Sequence, residues 1–129
     1  MRTTVFELDT DGKNVRPRVT PEPRWQPFDE WEGEPLTSVH LVEHVQTPRA
    51  TLQQVHIAAG GHFVMHTTPD LAHCQIVRGR GILRLPDDQR IPFDGPELYI
   101  FQPETLHEWT DIEEDTLLSV CLVHPIPAP

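Results

Sequence analysis

From Leu36 to His124, apolar and polar residues alternate in short runs with the period of two that is typical of half-buried β-strands. The runs that carry this pattern are LTSVHLVEHV, TLQQVHIAA, HFVMHT, LAHCQIVR, ILRL, ELYIFQ, TLHEWT and TLLSVCLVH. Turn-forming residues separate them, at 47–48, 60–61, 68–70, 79–81, 86–88, 94–96 and 111–115. No segment shows a convincing helical period, so the pattern predicts a single all-β domain, a sandwich or barrel.

Residues 1–35 differ from this pattern and form a proline-rich N-terminal arm. Its prolines remove hydrogen-bond donors and break helices, which favours an extended path over a surface. Its aromatic residues, Trp25, Phe28 and Trp31, need burial. We therefore expect the arm to pack on the barrel or on a second subunit, and we predict a homodimer. The barrel is predicted over 36–124, and 125–129 form a C-terminal tail.

Four histidines lie in three of the predicted strands. His62, His66 and His73 lie between Gly60 and Gly81, and His107 lies in the later segment FQPETLHEW. Neutral imidazoles are common metal ligands, so this density predicts a metal site on a β scaffold.

Strand alternation predicts which side chains share a face around these histidines. His62 and His66 are four residues apart, so both should lie on one face of their strand. His73 and Gln75 should likewise share a face of the next strand. The TPD turn at 68–70 would join the two strands in a hairpin with the imidazoles on its inner surface.

The stretch from 60 to 81 resembles the first motif of the cupin superfamily, and 103–107 resembles the second. Gly60 and His66 fit the opening of the first motif, and Gly79 or Gly81 fits its close. Pro103 and His107 fit the second motif, a proline followed by a short turn and a histidine. The resemblance covers about 36–124 and implies a small, metal-binding, jelly-roll-like cupin barrel.

Two ligand positions depart from the cupin pattern. The second histidine of the family motif falls on Thr68, for which His62 is the predicted substitute. The glutamate of the motif falls on Ala72, Cys74 or His73, depending on the alignment, and none of these is a carboxylate. The predicted shell is therefore rich in histidine.

The predicted metal ligands are His62, His66, His73 and His107, with Gln75 as a ligand or substrate contact and Tyr99 as a pocket residue. A histidine shell favours Fe or Zn and is compatible with Ni, Cu and Mn, which leaves the divalent metal undecided. The favoured function is a metal-dependent enzyme acting on a small organic molecule, a non-haem oxygenase in a natural-product pathway. The alternatives are a zinc-dependent, redox-neutral cyclase or isomerase, and a non-catalytic sensor.

The net charge limits the classes of binding partner, and the cysteines indicate the cellular compartment. The formal net charge of -10 disfavours nucleic acid and anionic membranes, whose phosphates would be repelled. Cys74 and Cys121 lie in apolar runs and are expected to be free thiols, which suits the cytoplasm. No leader and no membrane span is expected from the apolar runs.

Overall fold

Strands make up almost all of the regular structure in the computed structural model, which describes residues 1–126. Most of the predicted tail, residues 127–129, lies outside the described part. The strands are β1 (Thr3–Leu8), β2 (Val15–Thr20), β3 (Gln26–Pro27), β4 (Glu30–Trp31), β5 (Glu34–Pro35), β6 (Thr37–Gln46), β7 (Ala50–His66), β8 (Leu71–Leu85), β9 (Gln89–Asp94), β10 (Glu97–Phe101) and β11 (His107–Val123). A short 3-10 turn spans Pro86–Asp88. The all-β prediction is confirmed. No helix within residues 1–126 has the length and apolar character needed to span a membrane.

The main sheet is antiparallel and is organised around three long strands. It has seven strands in the order β10-β8-β11-β7-β6-β3, and β9 pairs with the second half of β8. The register shifts where β11 pairs with β7 and with β8, which bends these strands and curls the sheet into a barrel. The barrel interior is apolar, and Ile57, Ile76 and Phe93 are almost completely buried in it.

Three predicted strand breaks are bends inside continuous strands. The glycines at 60–61 lie within β7, those at 79–81 lie within β8, and the acidic segment 111–115 lies within β11. Gly79 has a φ of +118°, and a Cβ at this position would lie 2.2 Å from Thr116 Oγ1. Glycine is therefore required where β8 passes closest to β11. The predicted turns at 47–48, 68–70, 86–88 and 94–96 do separate strands.

The N-terminal arm contains two small hairpins and one contact strand. β1 pairs with β2, β4 pairs with β5, and β3 adds to the edge of the main sheet beside β6. The backbone N–H of Phe28 donates to the carbonyl of Val39 at 2.9 Å, which fixes this part of the arm to the barrel. Phe28 and Trp31 pack against Phe63 at the edge of the core. Residues 25–35 of the arm thus cover the barrel of their own chain.

Candidate active site

The barrel encloses a cavity of about 330 Å³ between the main sheet and the arm. This volume is within the range of small-molecule sites in proteins. Its wall is mostly apolar and aromatic, with a few polar groups. The lining residues are Phe28, Trp31, Leu41, Glu43, Gln53, Val55, Phe63, His66, Thr68, Asp70, Ala72, Cys74, Phe101, His107, Trp109, Leu118, Val120 and Leu122. Two of the four predicted ligands, His66 and His107, are among them.

His66 and His107 form a cross-strand pair at the end of β7 and the start of β11. They are direct partners in the strand register, and their ring centroids are 4.2 Å apart. Each ring also packs on an aromatic neighbour, His66 on Phe63 at 4.1 Å and His107 on Phe101 at 3.9 Å. The two imidazoles are therefore held side by side by packing as well as by pairing.

Hydrogen bonds to the backbone set the proton positions on both rings. His66 Nδ1 lies 2.7 Å from the carbonyl of Val64, and His107 Nδ1 lies 3.0 Å from the carbonyl of Thr105. A carbonyl only accepts, so both Nδ1 atoms donate, and the Nε2 atoms of the neutral rings carry lone pairs. Neither Nε2 has a hydrogen-bond partner among residues 1–126. Both Nε2 atoms also remain accessible to solvent, because Thr67 Oγ1 is the only fully buried side-chain polar atom without a partner among residues 1–126.

Burial keeps both imidazoles neutral near pH 7. Desolvation and, to a lesser extent, the charge of neighbouring His66 lower the pKa of His107 from 6.5 to about 4, against the opposing effect of the Thr105 carbonyl. Desolvation also lowers the pKa of His66, although the Val64 carbonyl and the charge of Glu108 act in the opposite direction. The site therefore presents two adjacent, uncharged nitrogen bases to the cavity.

His62 does not share the face of His66, contrary to the prediction. The register changes between the pairs His66–His107 and Phe63–Trp109, so β7 has three steps where β11 has two. This extra residue is a β-bulge, and it turns both Phe63 and His66 toward the cavity. His62 lies outside the cavity, where its Nε2 is 2.7 Å from Glu108 Oε2.

Glu108 joins His62 to Arg84 on the other face of β11. The Arg84 Nε–H donates to Glu108 Oε1, and the carboxylate is buried. Burial raises the pKa of Glu108, but the hydrogen bonds from Arg84 and His62 outweigh it and leave the pKa below its usual value. As its position next to His107 predicts, Glu108 is not in the cavity.

His73 and Gln75 lie on the outer surface of the barrel, so the predicted facing of this strand was wrong. Along β8 the buried residues are Ala72, Cys74 and Ile76, and the residues between them are exposed. Burial raises the pKa of the Cys74 thiol to about 12, which keeps it protonated and inert beside the cavity. The more apolar set of side chains on β8 faces the barrel interior, so His73 and Gln75 lie outside the site.

Tyr99 packs beneath the cavity and does not line it. Its ring stacks on Trp109 with the centroids 6.2 Å apart, and it contacts Phe101 edge-on. Burial raises the pKa of its hydroxyl. Tyr99 therefore supports two aromatic residues of the cavity wall, and its predicted place in the pocket itself is not observed.

A buried carboxylate in the cavity wall was missed by sequence reasoning. Asp70, in the predicted TPD turn, lines the cavity and is 8% exposed. Its Oδ2 accepts from Thr68 Oγ1 at 2.5 Å, and its Oδ1 lies 2.7 Å from His124 Nδ1. His124 Nε2 is in turn 2.8 Å from Thr51 Oγ1. Only the turn signal of TPD pointed to this residue, since Asp70 and His124 are far apart in sequence.

The residues of the cavity do not fit a resident metal centre. Protein-bound transition metals usually have three or four side-chain ligands, and this cavity supplies two imidazoles. Asp70 is engaged by His124 and Thr68, and the Cys74 thiol is protonated. Within residues 1–126, no three His, Cys, Asp or Glu side chains are placed to hold one ion. The structure thus does not bring His62, His66, His73 and His107 together.

Comparison with solved structures shows that the chain has the cupin fold. The cupin domain of Schizosaccharomyces pombe Cnp3 aligns with a TM-score of 0.71 and 11% identity, over 96% of this chain and 88% of that one. A cupin 2 conserved barrel domain protein from Rhodopseudomonas palustris aligns with a TM-score of 0.67 and 15% identity, over 97% and 83%. The polyketide cyclase RemF from Streptomyces resistomycificus aligns with a TM-score of 0.62 and 14% identity, over 72% and 70%. No protein-family model and no curated protein matches the sequence.

Proposed function

We propose that this chain is a cupin enzyme that binds a small, largely aromatic molecule and moves a proton on it, in a redox-neutral cyclisation or isomerisation. The observation that carries the proposal is the His66–His107 pair, with two unpartnered Nε2 lone pairs at a cavity of small-molecule size. General bases act through such lone pairs when the reacting proton comes within hydrogen-bond reach. The aromatic wall supplies stacking surface for a planar substrate.

The two imidazoles have different roles in this proposal. His66 is the better base, because the Val64 carbonyl and the charge of Glu108 offset part of its desolvation, whereas desolvation and the charge of His66 both lower the pKa of His107. After His66 takes the proton, its Nδ1–H remains bonded to the Val64 carbonyl, which stabilises the imidazolium. His107, still neutral, can accept a hydrogen bond from the protonated Nε2 or from the substrate, and His66 returns its proton to a second position of the substrate.

Oxygen chemistry is less well supported by this arrangement. A non-haem oxygenase needs a bound metal with open positions, and the described residues offer two ligands where three are usual. The predicted Fe or Zn therefore stays a prediction, and no step of the proposal depends on it. The structural similarity to RemF, a polyketide cyclase by its description, supports the cyclase class only through the shared fold.

The test is proton exchange on a bicyclic aromatic ketone, 1-tetralone, in D₂O, followed by NMR of its α-protons. Chelator-treated protein under nitrogen should speed exchange above the buffer rate, and His66→Gln should lose the acceleration. His73→Gln is the matched control, since it removes an exposed histidine. Exchange that stops on chelation and returns with zinc or iron would overturn the metal-free mechanism. If wild type and both variants bind 1-tetralone but none accelerates its exchange, the result would favour the non-catalytic sensor.

A further inference from the structure

Among residues 1–126, Asp70 is the one carboxylate buried in the cavity wall, and hydrogen bonds from its neighbours fix its position. Thr68 Oγ1 donates to Oδ2, and the backbone N–H of Asp70 lies 3.3 Å from the same hydroxyl. His124 donates to Oδ1 from Nδ1, and Thr51 contacts its other nitrogen. A buried carboxylate is costly unless hydrogen-bond partners compensate it, and Thr68 and His124 supply such partners to Asp70.

The remaining charge in the cavity wall has the same sign. Glu43 is the only other charged residue that lines it, and no lysine or arginine is among the lining residues of the described chain. Arg84, which lies opposite Glu108 in the strand register, is bound to that carboxylate on the outer face. A carboxylate or phosphate entering the cavity would therefore meet like charge and no cation.

The polar groups of the cavity are also strong acceptors. The two imidazoles present lone pairs, and Asp70 presents carboxylate oxygens that retain accepting capacity beyond their two partners. The side-chain donors that remain among the described lining residues are neutral, namely the Gln53 amide, the Cys74 thiol and the indole N–H groups of Trp31 and Trp109. An acceptor-rich site is best satisfied by a ligand that brings its own donors.

We infer that the ligand is a non-anionic aromatic molecule carrying a hydroxyl or amino donor, and that Asp70 is the residue that selects it. This inference rests on the proposed function, because it names the substrate class of the same cavity. Asp70 recognises the donor, the aromatic wall recognises the ring, and the histidine pair acts on an acidic proton nearby. Esters, ethers and acids of the same ring system are discriminated against.

Three naphthalenes of similar size test the inference by calorimetry at pH 7.5. They are 2-naphthol, which donates a hydrogen bond, 2-methoxynaphthalene, which does not, and 2-naphthoate, which is an anion. Wild-type protein should bind 2-naphthol at least about tenfold more tightly than 2-methoxynaphthalene, the effect expected for one hydrogen bond to a charged acceptor. It should bind 2-naphthoate most weakly. Equal affinities, a preference for the anion, or no binding of any probe would overturn the inference.

Asp70→Asn locates the selectivity. The amide keeps the shape of the side chain and removes its charge, so the preference for 2-naphthol should fall to within about threefold and 2-naphthoate should bind better. Glu97→Gln, an exposed carboxylate on β10 outside the cavity, is the control and should keep the wild-type order. The wild-type order alone decides the case if Asp70→Asn does not fold. Retained selectivity without tetralone exchange would refute the proton-transfer function while leaving the ligand class intact.

Discussion

Replacing His107 should make the protein less sensitive to acid, because this imidazole is buried as a neutral group. Its side chain is 5% exposed, and burial lowers its pKa from 6.5 to about 4. Between these values the unfolded chain binds a proton that the folded chain does not. Stability is therefore full above pH 6.5 and falls as the pH drops toward 4. The difference in pKa corresponds to about 3 kcal/mol of unfolding free energy.

The measurement is urea unfolding of wild type and His107→Gln at several pH values from 7.5 to 4.0. The variant should be less stable at pH 7.5, because it loses the stacking on Phe101. Between pH 7.5 and 4.0 the wild type should lose about 3 kcal/mol more than the variant. Comparing the two slopes cancels the titration of groups that are distant from His107.

Two results would refute this reasoning. One is a wild-type slope that matches that of His107→Gln within about 0.5 kcal/mol. The other is an NMR titration of the intact wild-type protein in which the pKa of the His107 ring lies near its ordinary value. This measurement needs no variant. His73→Gln is the surface control and should follow the wild-type curve.

Three further predictions address the frame around the site. Gly79→Ala should lower the unfolding free energy by at least about 2 kcal/mol by calorimetry, because its Cβ would overlap β11, whereas Gly12→Ala, which also has positive φ but meets no atom, should cost about 1 kcal/mol. Glu108→Ala should destabilise the protein in urea unfolding more than Glu113→Ala does, because Glu108 is buried and binds both His62 and Arg84, whereas Glu113 belongs to an exposed ion pair. The predicted homodimer should dissociate in sedimentation velocity with Phe6→Ser, because this ring is 71% exposed on the β1–β2 hairpin; a monomeric wild type at high concentration would remove the prediction.

The alternation of apolar and polar residues was sufficient to predict the fold class and most turns. This pattern failed to predict the glycines inside strands. A glycine that ends a strand and a glycine that allows a strand to bend look the same in a sequence. Gly79 shows the difference: its conformation is set by the close approach of Thr116, a contact between distant segments. The prediction of a dimer from Phe28 and Trp31 also depended on contacts that the sequence does not show. Both rings pack on the barrel of their own chain.

The composition of β8 was sufficient to predict which of its side chains face the barrel interior. Ala72, Cys74 and Ile76 form the more apolar set, and burying them releases more apolar surface from water than burying His73 and Gln75 would. The interpretation that placed the histidines inside gave chemistry more weight than hydrophobicity. In a strand that closes a barrel, the apolar set determines the facing, and polar residues enter the interior only where partners compensate them.

The sequence motif located His66 and His107 but could not establish how many ligands surround them. That number depends on one bulge in β7, which moves His62 to the outer face and gives it Glu108 as a partner. With His62 inside, three imidazoles could have formed a metal shell; with His62 outside, two neutral imidazoles remain beside Asp70 in an aromatic cavity. A single extra residue in a strand therefore sets how many imidazoles line the cavity, and this bulge cannot be predicted from the alternation within one strand until the partner strand is known.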